Sequence, residues 1–264
     1  MYRLDFARFF VVSSVKTAGR AHRNTGAFVI VGSVKASTVD NPPDDRSQPF
    51  QRLARFFTPN RSTALRQYRS RARIYDIELL LFEPVRQRAI NLLGLKNGAR
   101  VLDVGCGTGL SFTALESYIG PEGSIVGIEQ SPEMLARARA RAAESGWSNI
   151  TFLNASVEDA AIPMQADAAL FNFTHDIMRT PAALANVVSH LKPGARVVAT
   201  GLKWAPARAM PLNLFVWNAA MRSTSTLEGL ARPWSNLEPV LQELEVQQML
   251  GGTVYIAHGI VKPP

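Results

Sequence analysis

The chain has 264 residues and a single cysteine, Cys106. One cysteine excludes a disulfide framework within the chain and leaves no cysteine cluster for zinc, so we expect a reducing compartment, the cytoplasm, and no metal site. Long apolar runs are lacking as well. The longest near the start cover residues 9–12 and 27–31, far shorter than the ~18 residues of a membrane-spanning helix. Apolar residues still make up 47% of the chain, enough for a sizeable core.

Acidic residues are scarce at one end of the chain only. Residues 1–73 hold 14 of the 29 Lys and Arg but 4 of the 21 Asp and Glu, so this arm has a net charge of +10 and the rest of the chain −2. A nearly neutral body argues against a broad nucleic-acid groove. The arm itself could contact anionic lipid or RNA, which keeps peripheral membrane contact open.

Residues 1–48 are interpreted as a basic extension that need not be folded. Residues 1–39 are rich in Arg, Ser, Thr and Val and contain one acid, Asp5, a composition typical of a mitochondrial transit peptide. An upstream start codon in a bacterial gene would look similar. The breaker cluster at residues 41–45 follows. Helical spacing of apolar residues then predicts a helical cap over residues 49–98.

From residue 100 onward, strand patterns alternate with helical patterns. Apolar runs predict strands at residues 100–104, 124–128, 150–153, 168–173 and 195–201. Helices are predicted at residues 108–119, from Pro132 onward with Ser131 as N-cap, and at 181–191. Runs at residues 244–250 and 253–261, separated by two glycines, predict a hairpin. This alternation predicts a doubly wound α/β domain over residues 99–264, a mostly parallel sheet with helices on both faces.

The strongest motif is a glycine loop between the first strand and the next helix. Gly105, Gly107 and Gly109 are spaced two apart, and Leu110 stands where the last glycine of the dinucleotide pattern G-x-G-x-x-G would be. The carboxylate of Asp103 would repel a pyrophosphate but suits a cationic ligand. S-adenosylmethionine has no phosphate and carries an ammonium and a sulfonium group. The loop therefore favours S-adenosylmethionine over NAD.

With the segments around it, this loop resembles the class I, Rossmann-like S-adenosylmethionine-dependent methyltransferases of the small-molecule type, which include the ubiquinone and menaquinone methyltransferases. Glu129 ends the second strand, 24 residues beyond Gly105, and the letters LKPG at residues 191–194 resemble the family's turn into its fifth strand. The resemblance covers about residues 66–262. It implies a seven-stranded sheet of order 3-2-1-4-5-7-6 with an antiparallel C-terminal strand.

The resemblance also implies where the cofactor would bind. Glu129 would accept the ribose hydroxyls, and Tyr75 belongs to a segment that folds over the methionine end. Ser156 stands where the family commonly has an acid for the adenine amino group, and Glu158 or Asp159 would replace it if the register slips. The cofactor-binding residues expected on this basis are Tyr75, Asp103, Gly105, Cys106, Gly107, Thr108, Gly109, Glu129, Gln130, Met134, Ser156, Val157 and Asn172.

The sequence gives fewer signals for the residues that would bind the methyl acceptor than for those that would bind the cofactor. His175 follows the fourth strand and has an intrinsic pKa suited to proton abstraction, and Asp176 could orient it or bind a substrate cation. A capping role for His175 is the alternative. Residues 202–235 are interpreted as an insertion whose aromatic residues form either a lid over an apolar acceptor or a helix packed on the core. A small, apolar or amphipathic acceptor is therefore expected.

Three other functions stay open at this point. The chain could transfer the aminocarboxypropyl group of the same cofactor, methylate RNA after docking through the basic arm, or bind the cofactor as a subunit without turnover. The Asn/Asp-Pro-Pro-aromatic motif of nucleic-acid amino-methyltransferases is absent from the fourth strand, which reads Asn172, Phe173 and Thr174 at this place. Oligomeric state is not predicted.

Overall fold

The structure is a computed structural model that describes residues 32–35, 82–206 and 209–263. Most of the predicted extension and of the helical cap, together with Tyr75, lies outside the described residues. In the described ranges, no helix is both long and apolar enough to cross a bilayer.

One eight-stranded sheet organises these residues. Its strands are β1 (Gly32–Lys35), β2 (Arg100–Val104), β3 (Ser124–Ile128), β4 (Ile150–Leu153), β5 (Ala166–Asn172), β6 (Leu191–Leu202), β7 (Leu241–Met249) and β8 (Val254–Val261). They lie in the order β4-β3-β2-β5-β6-β8-β7-β1, and β8 runs antiparallel to both of its neighbours. Strands β2 to β8 thus confirm the predicted 3-2-1-4-5-7-6 sheet and its C-terminal hairpin.

The edge strand β1 is an addition to the predicted sheet. It pairs antiparallel with β7, with Gly32 opposite Gln248 and Lys35 opposite Glu245. Four residues inside the basic extension carry too short an apolar alternation to indicate a strand, and the pairing partner lies more than 200 residues away in sequence.

Six α-helices lie in the described ranges. They are α1 (Glu83–Leu92), α2 (Phe112–Ile119), α3 (Pro132–Glu144), α4 (His175–Met178), α5 (Pro181–Ser189) and α6 (Met210–Ser223). Helix α3 begins as predicted, since the Ser131 hydroxyl accepts the Met134 N–H at 3.3 Å. Helix α2 begins four residues later than predicted, because Gly107 and Gly109 have positive φ and the chain turns there instead.

Apolar side chains on the two faces of the sheet form two buried layers. In β2, Val101 faces the layer built with α1, α2, α3 and α6, whereas Leu102 faces the layer that includes α5. By the alternation of strand side chains, Asp103 points to the same side as Val101, and Asn172 to the same side as Leu170. Both polar residues therefore lie near the carboxyl ends of their strands, on the face that carries α1.

Phe112 connects the glycine loop to the first of these layers. Its ring is fully buried and meets Phe152 edge-on, with ring centroids 5.9 Å apart. A Cβ atom on Gly109 would lie 2.5 Å from this ring, and one on Gly127 3.2 Å. The ring thus occupies the volume that these two glycines leave open.

Replacing Phe112 by alanine should lower the free energy of unfolding by about 3–5 kcal/mol, because it removes a fully buried ring and leaves a cavity. Urea denaturation measures the change. Tyr118→Ala on the same helix is the control, since Tyr118 is 41% exposed and should cost far less. Equal losses in the two variants would contradict the packing described for Phe112.

Candidate functional site

A cavity of about 330 Å³, including the part open to solvent, lies at the carboxyl ends of β2 and β5. The strand order reverses between these two strands, and such a switch point is where open α/β sheets bind ligands. The residues that line the cavity are Arg86, Asp103, Gly105, Cys106, Gly107, Thr108, Leu110, Ser111 and Asn172. Six of them belong to the set predicted from the sequence, and Arg86, Leu110 and Ser111 do not.

The three glycines of the loop serve different purposes. A Cβ atom on Gly105 would lie 2.6 Å from Thr174 Cγ2, and one on Gly109 would strike the ring of Phe112. Both positions therefore need glycine for packing within the protein. A Cβ atom on Gly107 would have no described atom within 4 Å, so the space above this residue is open to a ligand.

Asp103 is a buried carboxyl group on the wall of the cavity. Its side chain is 1% exposed, and its Oδ2 atom has no hydrogen-bond partner among the described residues. Burial raises the pKa of Asp103 to about 7, against the lowering effect of Arg86, and the nearby Glu129 adds to the rise. An unpartnered buried acceptor of this kind is costly unless a cation or a donor satisfies it.

Arg86 of α1 faces the same cavity and is 2% exposed. One guanidinium nitrogen contacts the Glu83 carboxylate, and Nε has no partner among the described residues. Arg86 was not predicted as a site residue, yet the sequence carries a signal for it: Val85, Ala89 and Ile90 form the buried face of α1, and Arg86 interrupts it. Buried arginines usually pair with carboxylates. Because Nε of Arg86 has no partner among the described residues, this side chain can bind a carboxylate of a ligand in addition to Glu83.

Glu129 supports the loop from the end of β3. Its Oε2 atom accepts the Gly107 N–H at 3.2 Å, and Oε1 accepts the Ser131 N–H at 2.8 Å. Burial nevertheless raises the pKa of Glu129. Each carboxylate oxygen can accept a further hydrogen bond, so this side chain can still bind a pair of hydroxyl groups. Next to it, Gln130 is exposed and the Met134 side chain is buried in α3.

The predicted adenine-contacting segment follows β4. The Ser156 hydroxyl donates to Asp159 at 2.6 Å, and the Val157 side chain is buried in the layer that includes α5. Asn154 ties the segment to the end of β3 by donating to the Glu129 and Gln130 carbonyls at 2.9 and 3.2 Å. The serine oxygen retains capacity to accept, and Asp159 stands directly beside it.

His175 and Asp176 begin α4 directly beyond the cavity. His175 is buried, and its Nε2 atom lies 3.0 Å from the Glu228 carbonyl. Because a carbonyl only accepts, Nε2 carries the proton and Nδ1 holds a lone pair, which has no partner among the described residues. Burial lowers the pKa of His175. The Asp176 carboxylate does not meet this ring through any described hydrogen bond and instead accepts the Ser225 N–H at 2.9 and 3.0 Å.

The insertion after β6 is tied to the rest of the domain at several points. Trp204 and Trp234 are buried, which places both in the core rather than in an open lid. The backbone N–H of Trp204 donates to the Leu230 carbonyl at 2.8 Å, and Arg179, directly after α4, pairs with Glu228 at 3.3 Å. Trp217 and Met221 of α6 are half-buried against the same layer as α1.

Phe173 is a further residue that the sequence analysis did not select. It has φ 59°, a left-handed conformation that is rare for a bulky side chain and costs about 1–3 kcal/mol. It stands between Asn172, which lines the cavity, and Thr174, which packs on Gly105. Backbone conformation of this kind leaves no trace in residue type or spacing.

Cys106 is a thiol in the cavity wall. Burial raises its pKa well above the usual value, and the carboxylates of Asp103 and Glu129 reinforce the rise. A thiol that resists ionisation is a poor nucleophile, so Cys106 fits a packing role beside the Gly127 backbone.

The Methyltransferase domain family matches residues 95–247, more than half of the chain, including the loop, the cavity and the sheet around them. The chain belongs to this family. S-adenosylmethionine is its methyl donor, and the residues present fit that molecule: an unpartnered buried carboxylate for a cation, open space above Gly107, and a second carboxylate at Glu129.

Individual relatives match part of this chain. A nocamycin O-methyltransferase from Saccharothrix syringae is 32% identical over 139 residues, which are 49% of this chain and 48% of the relative. A demethylmenaquinone methyltransferase from Lactococcus lactis subsp. lactis is 31% identical over 117 residues, which are 43% and 46% of the two chains. The chain spans about half the length of the curated relatives it matches.

Solved structures agree on the fold. A SAM-dependent O-methyltransferase from Thermotoga maritima superposes with a TM-score of 0.50 at 14% identity, over 69% of this chain and 66% of that one. At this identity the similarity shows the shared architecture and nothing further.

The affinity for S-adenosylhomocysteine, which carries the same ammonium group, should rise about tenfold between pH 6 and pH 8. The pKa of Asp103 in the free protein is about 7, and only the ionised carboxylate attracts the ammonium group, so binding should release a proton near neutral pH. Calorimetric titration in buffers of different ionisation enthalpy measures both quantities. Asp103→Asn should bind with the low-pH affinity at every pH, and a wild-type affinity independent of pH would contradict the assignment.

Proposed function

We propose that this protein transfers the methyl group of S-adenosylmethionine to a small, apolar or amphipathic acceptor. The observation that carries the proposal is the buried Asp103, whose Oδ2 has no hydrogen-bond partner among the described residues, in one cavity with a buried Arg86 at the switch point of the sheet. When bound, the cofactor supplies a methyl group activated by a sulfonium. The protein supplies binding, orientation and, where the acceptor needs it, a base.

The charged side chains of the cavity are complementary to the amino-acid end of S-adenosylmethionine, which carries an ammonium group and a carboxylate. Asp103 would hold the ammonium group, and Arg86 of α1 would hold the carboxylate, as guanidinium groups commonly do. Glu129, fixed by the Gly107 and Ser131 N–H groups, would accept the two ribose hydroxyls. Ser156, or Asp159 beside it, would receive the adenine amino group. A pyrophosphate would instead face two carboxylates, Asp103 and Glu129, which supports this cofactor over a dinucleotide.

Aromatic side chains near the cavity and the names of two relatives support a small, apolar methyl acceptor. Phe82 and Phe173 are half-buried with ring centroids 4.8 Å apart, and Phe173 directly follows Asn172, which lines the cavity. Two of the relatives are, by name, methyltransferases of demethylmenaquinone and nocamycin, which supports a small acceptor. The nearly neutral net charge of residues 74–264 disfavours a nucleic-acid substrate, whose binding depends on many basic contacts to phosphate.

His175 is the proposed base. With Nε2 bonded to the Glu228 carbonyl, the Nδ1 lone pair is oriented and free of competing partners among the described residues. Burial lowers the pKa of His175, so the ring stays neutral and able to accept a proton even in mildly acidic solution. Asp176 would act by fixing the backbone at Ser225 rather than by orienting the ring.

Cofactor binding is tested by calorimetric titration of the full chain with S-adenosylmethionine, S-adenosylhomocysteine and NADH. The first two should bind with micromolar affinity and NADH should not. Gly107→Arg should abolish binding by filling the open space, and Glu129→Ala should weaken it by about 1.5–3 kcal/mol, the worth of a hydrogen bond to a charged group. Gly194→Arg is the matched control, since Gly194 also has positive φ and no described atom near its Cβ position. Binding of NADH alone would show that the loop holds a dinucleotide.

The role of His175 is tested with a panel of phenols, naphthols and hydroquinones, with S-adenosylhomocysteine formation as the readout. His175→Gln keeps an N–H for the Glu228 carbonyl but removes the base, so kcat should fall by about 10²–10⁴-fold while the thermal midpoint stays unchanged. At saturating cofactor, the wild-type kcat should decline only as the pH falls below the ordinary histidine pKa of 6.5, since the pKa of His175 is lowered. Full activity of His175→Gln would leave His175 a structural role, and methylthioadenosine as product would identify aminocarboxypropyl transfer instead.

A further inference from the structure

Three described non-glycine residues adopt a left-handed backbone conformation: Phe173, Glu243 and Leu250. Glu243 lies at the register shift of β7, and Leu250 lies in the connection between β7 and β8. Local sheet geometry therefore explains these two. Phe173 directly follows β5, where neither a register shift nor a hairpin demands such a conformation.

The neighbours of Phe173 hold it in this conformation from both sides. Asn172 is bonded to the Thr200 hydroxyl at 2.7 Å, and the Phe173 N–H donates to the Thr200 carbonyl at 2.9 Å. On the other side, Thr174 packs so closely on Gly105 that a Cβ atom there would lie 2.6 Å away. The backbone bends at Phe173, between Asn172 and Thr174, which these contacts hold in place. It adopts the left-handed conformation at an aromatic residue, although glycine and asparagine tolerate that conformation better.

Phe173 directly follows Asn172, which lines the cavity, and its ring lies against a second ring. Its centroid is 4.8 Å from that of Phe82, with a tilt of 54°. Phe82 precedes α1 and lies one helical turn before Arg86, on the same side of the helix. Arg86 and Asn172 line the cavity from α1 and β5. The two rings therefore join the two elements that border the cavity, and both rings are half-buried, so part of each is accessible.

We propose that Phe173, with Phe82, forms an aromatic wall that selects and orients a planar aromatic acceptor ring next to the cofactor cavity. The inference rests on the proposed function and deepens it by naming the class of acceptor. Strained residues persist where the surrounding structure holds them and where their placement serves a site. Aromatic rings attract one another more strongly than they attract saturated rings of the same size, so such a wall discriminates by planarity as well as by apolarity.

The test uses two bicyclic alcohols with the same carbon skeleton, planar 2-naphthol and saturated decahydro-2-naphthol, titrated into the full-length protein saturated with S-adenosylhomocysteine. The wild type should bind 2-naphthol about tenfold more tightly than the saturated probe. Phe173→Leu keeps the apolar bulk but removes the ring, so this preference should fall to about twofold or less. Phe82→Leu should also reduce the preference for the planar probe, and it replaces Phe173→Leu in the test if that variant does not fold. Affinity for S-adenosylhomocysteine should stay within about twofold in both variants.

Phe215→Leu is the matched control, because Phe215 lies on α6 in the insertion and is 36% exposed. It should keep the wild-type preference. Equal affinities of the wild type for the two probes, binding of neither, or an unchanged preference in Phe173→Leu would overturn the inference while leaving cofactor binding intact. Failure of the wild type to bind S-adenosylhomocysteine would overturn the proposed function itself.

Discussion

The burial of the Asp103 carboxyl group is the constraint on which the rest of the site depends. This group sits at the end of the central strand β2, at the point where the strand order reverses, and loses nearly all contact with water. Desolvation opposes its charge and raises its pKa to about 7. The positive charge of Arg86 on α1 offsets part of this desolvation cost, and a cationic ligand would offset the rest. A buried carboxylate that is unfavourable in the free protein is thus complementary to the ammonium group of the cofactor.

Helix α4 joins the cofactor side of the site to the insertion. On one side, Thr174 and Ile177 pack where a Cβ atom on Gly105 would otherwise lie. On the other side, His175 and Asp176 bond to the backbone at Glu228 and Ser225. One short helix therefore sets the distance between the glycine loop and the segment that follows α6. Rigid support of this kind matters for methyl transfer, because the reaction depends on the alignment of two bound molecules.

The layers and the boundaries of most elements could be predicted from residue patterns, whereas the strand order 3-2-1-4-5-7-6 was implied by the family resemblance. Alternating strand and helix patterns determine the layers, and the short connections leave few topologies open. The predictions failed where the backbone departs from regular geometry. Residues 108–111 form a turn rather than the start of α2, because Gly107 and Gly109 adopt positive φ. Strand β1 joins the far edge of the sheet through a pairing that no local pattern reveals.

By itself, the sequence determined the fold class, the loop and the preference for a cation over a phosphate, because these follow from residue types at fixed spacing near one strand. Only the tertiary structure decided which side chains meet there. Arg86 reaches the cavity from a helix that precedes the loop, Asp176 is occupied by the Ser225 N–H, and Phe173 is held left-handed between two pinned neighbours. Each of these depends on the packing of segments distant in sequence. Spacing along the chain carries no information about such contacts, since they arise when separate layers bury their apolar faces together.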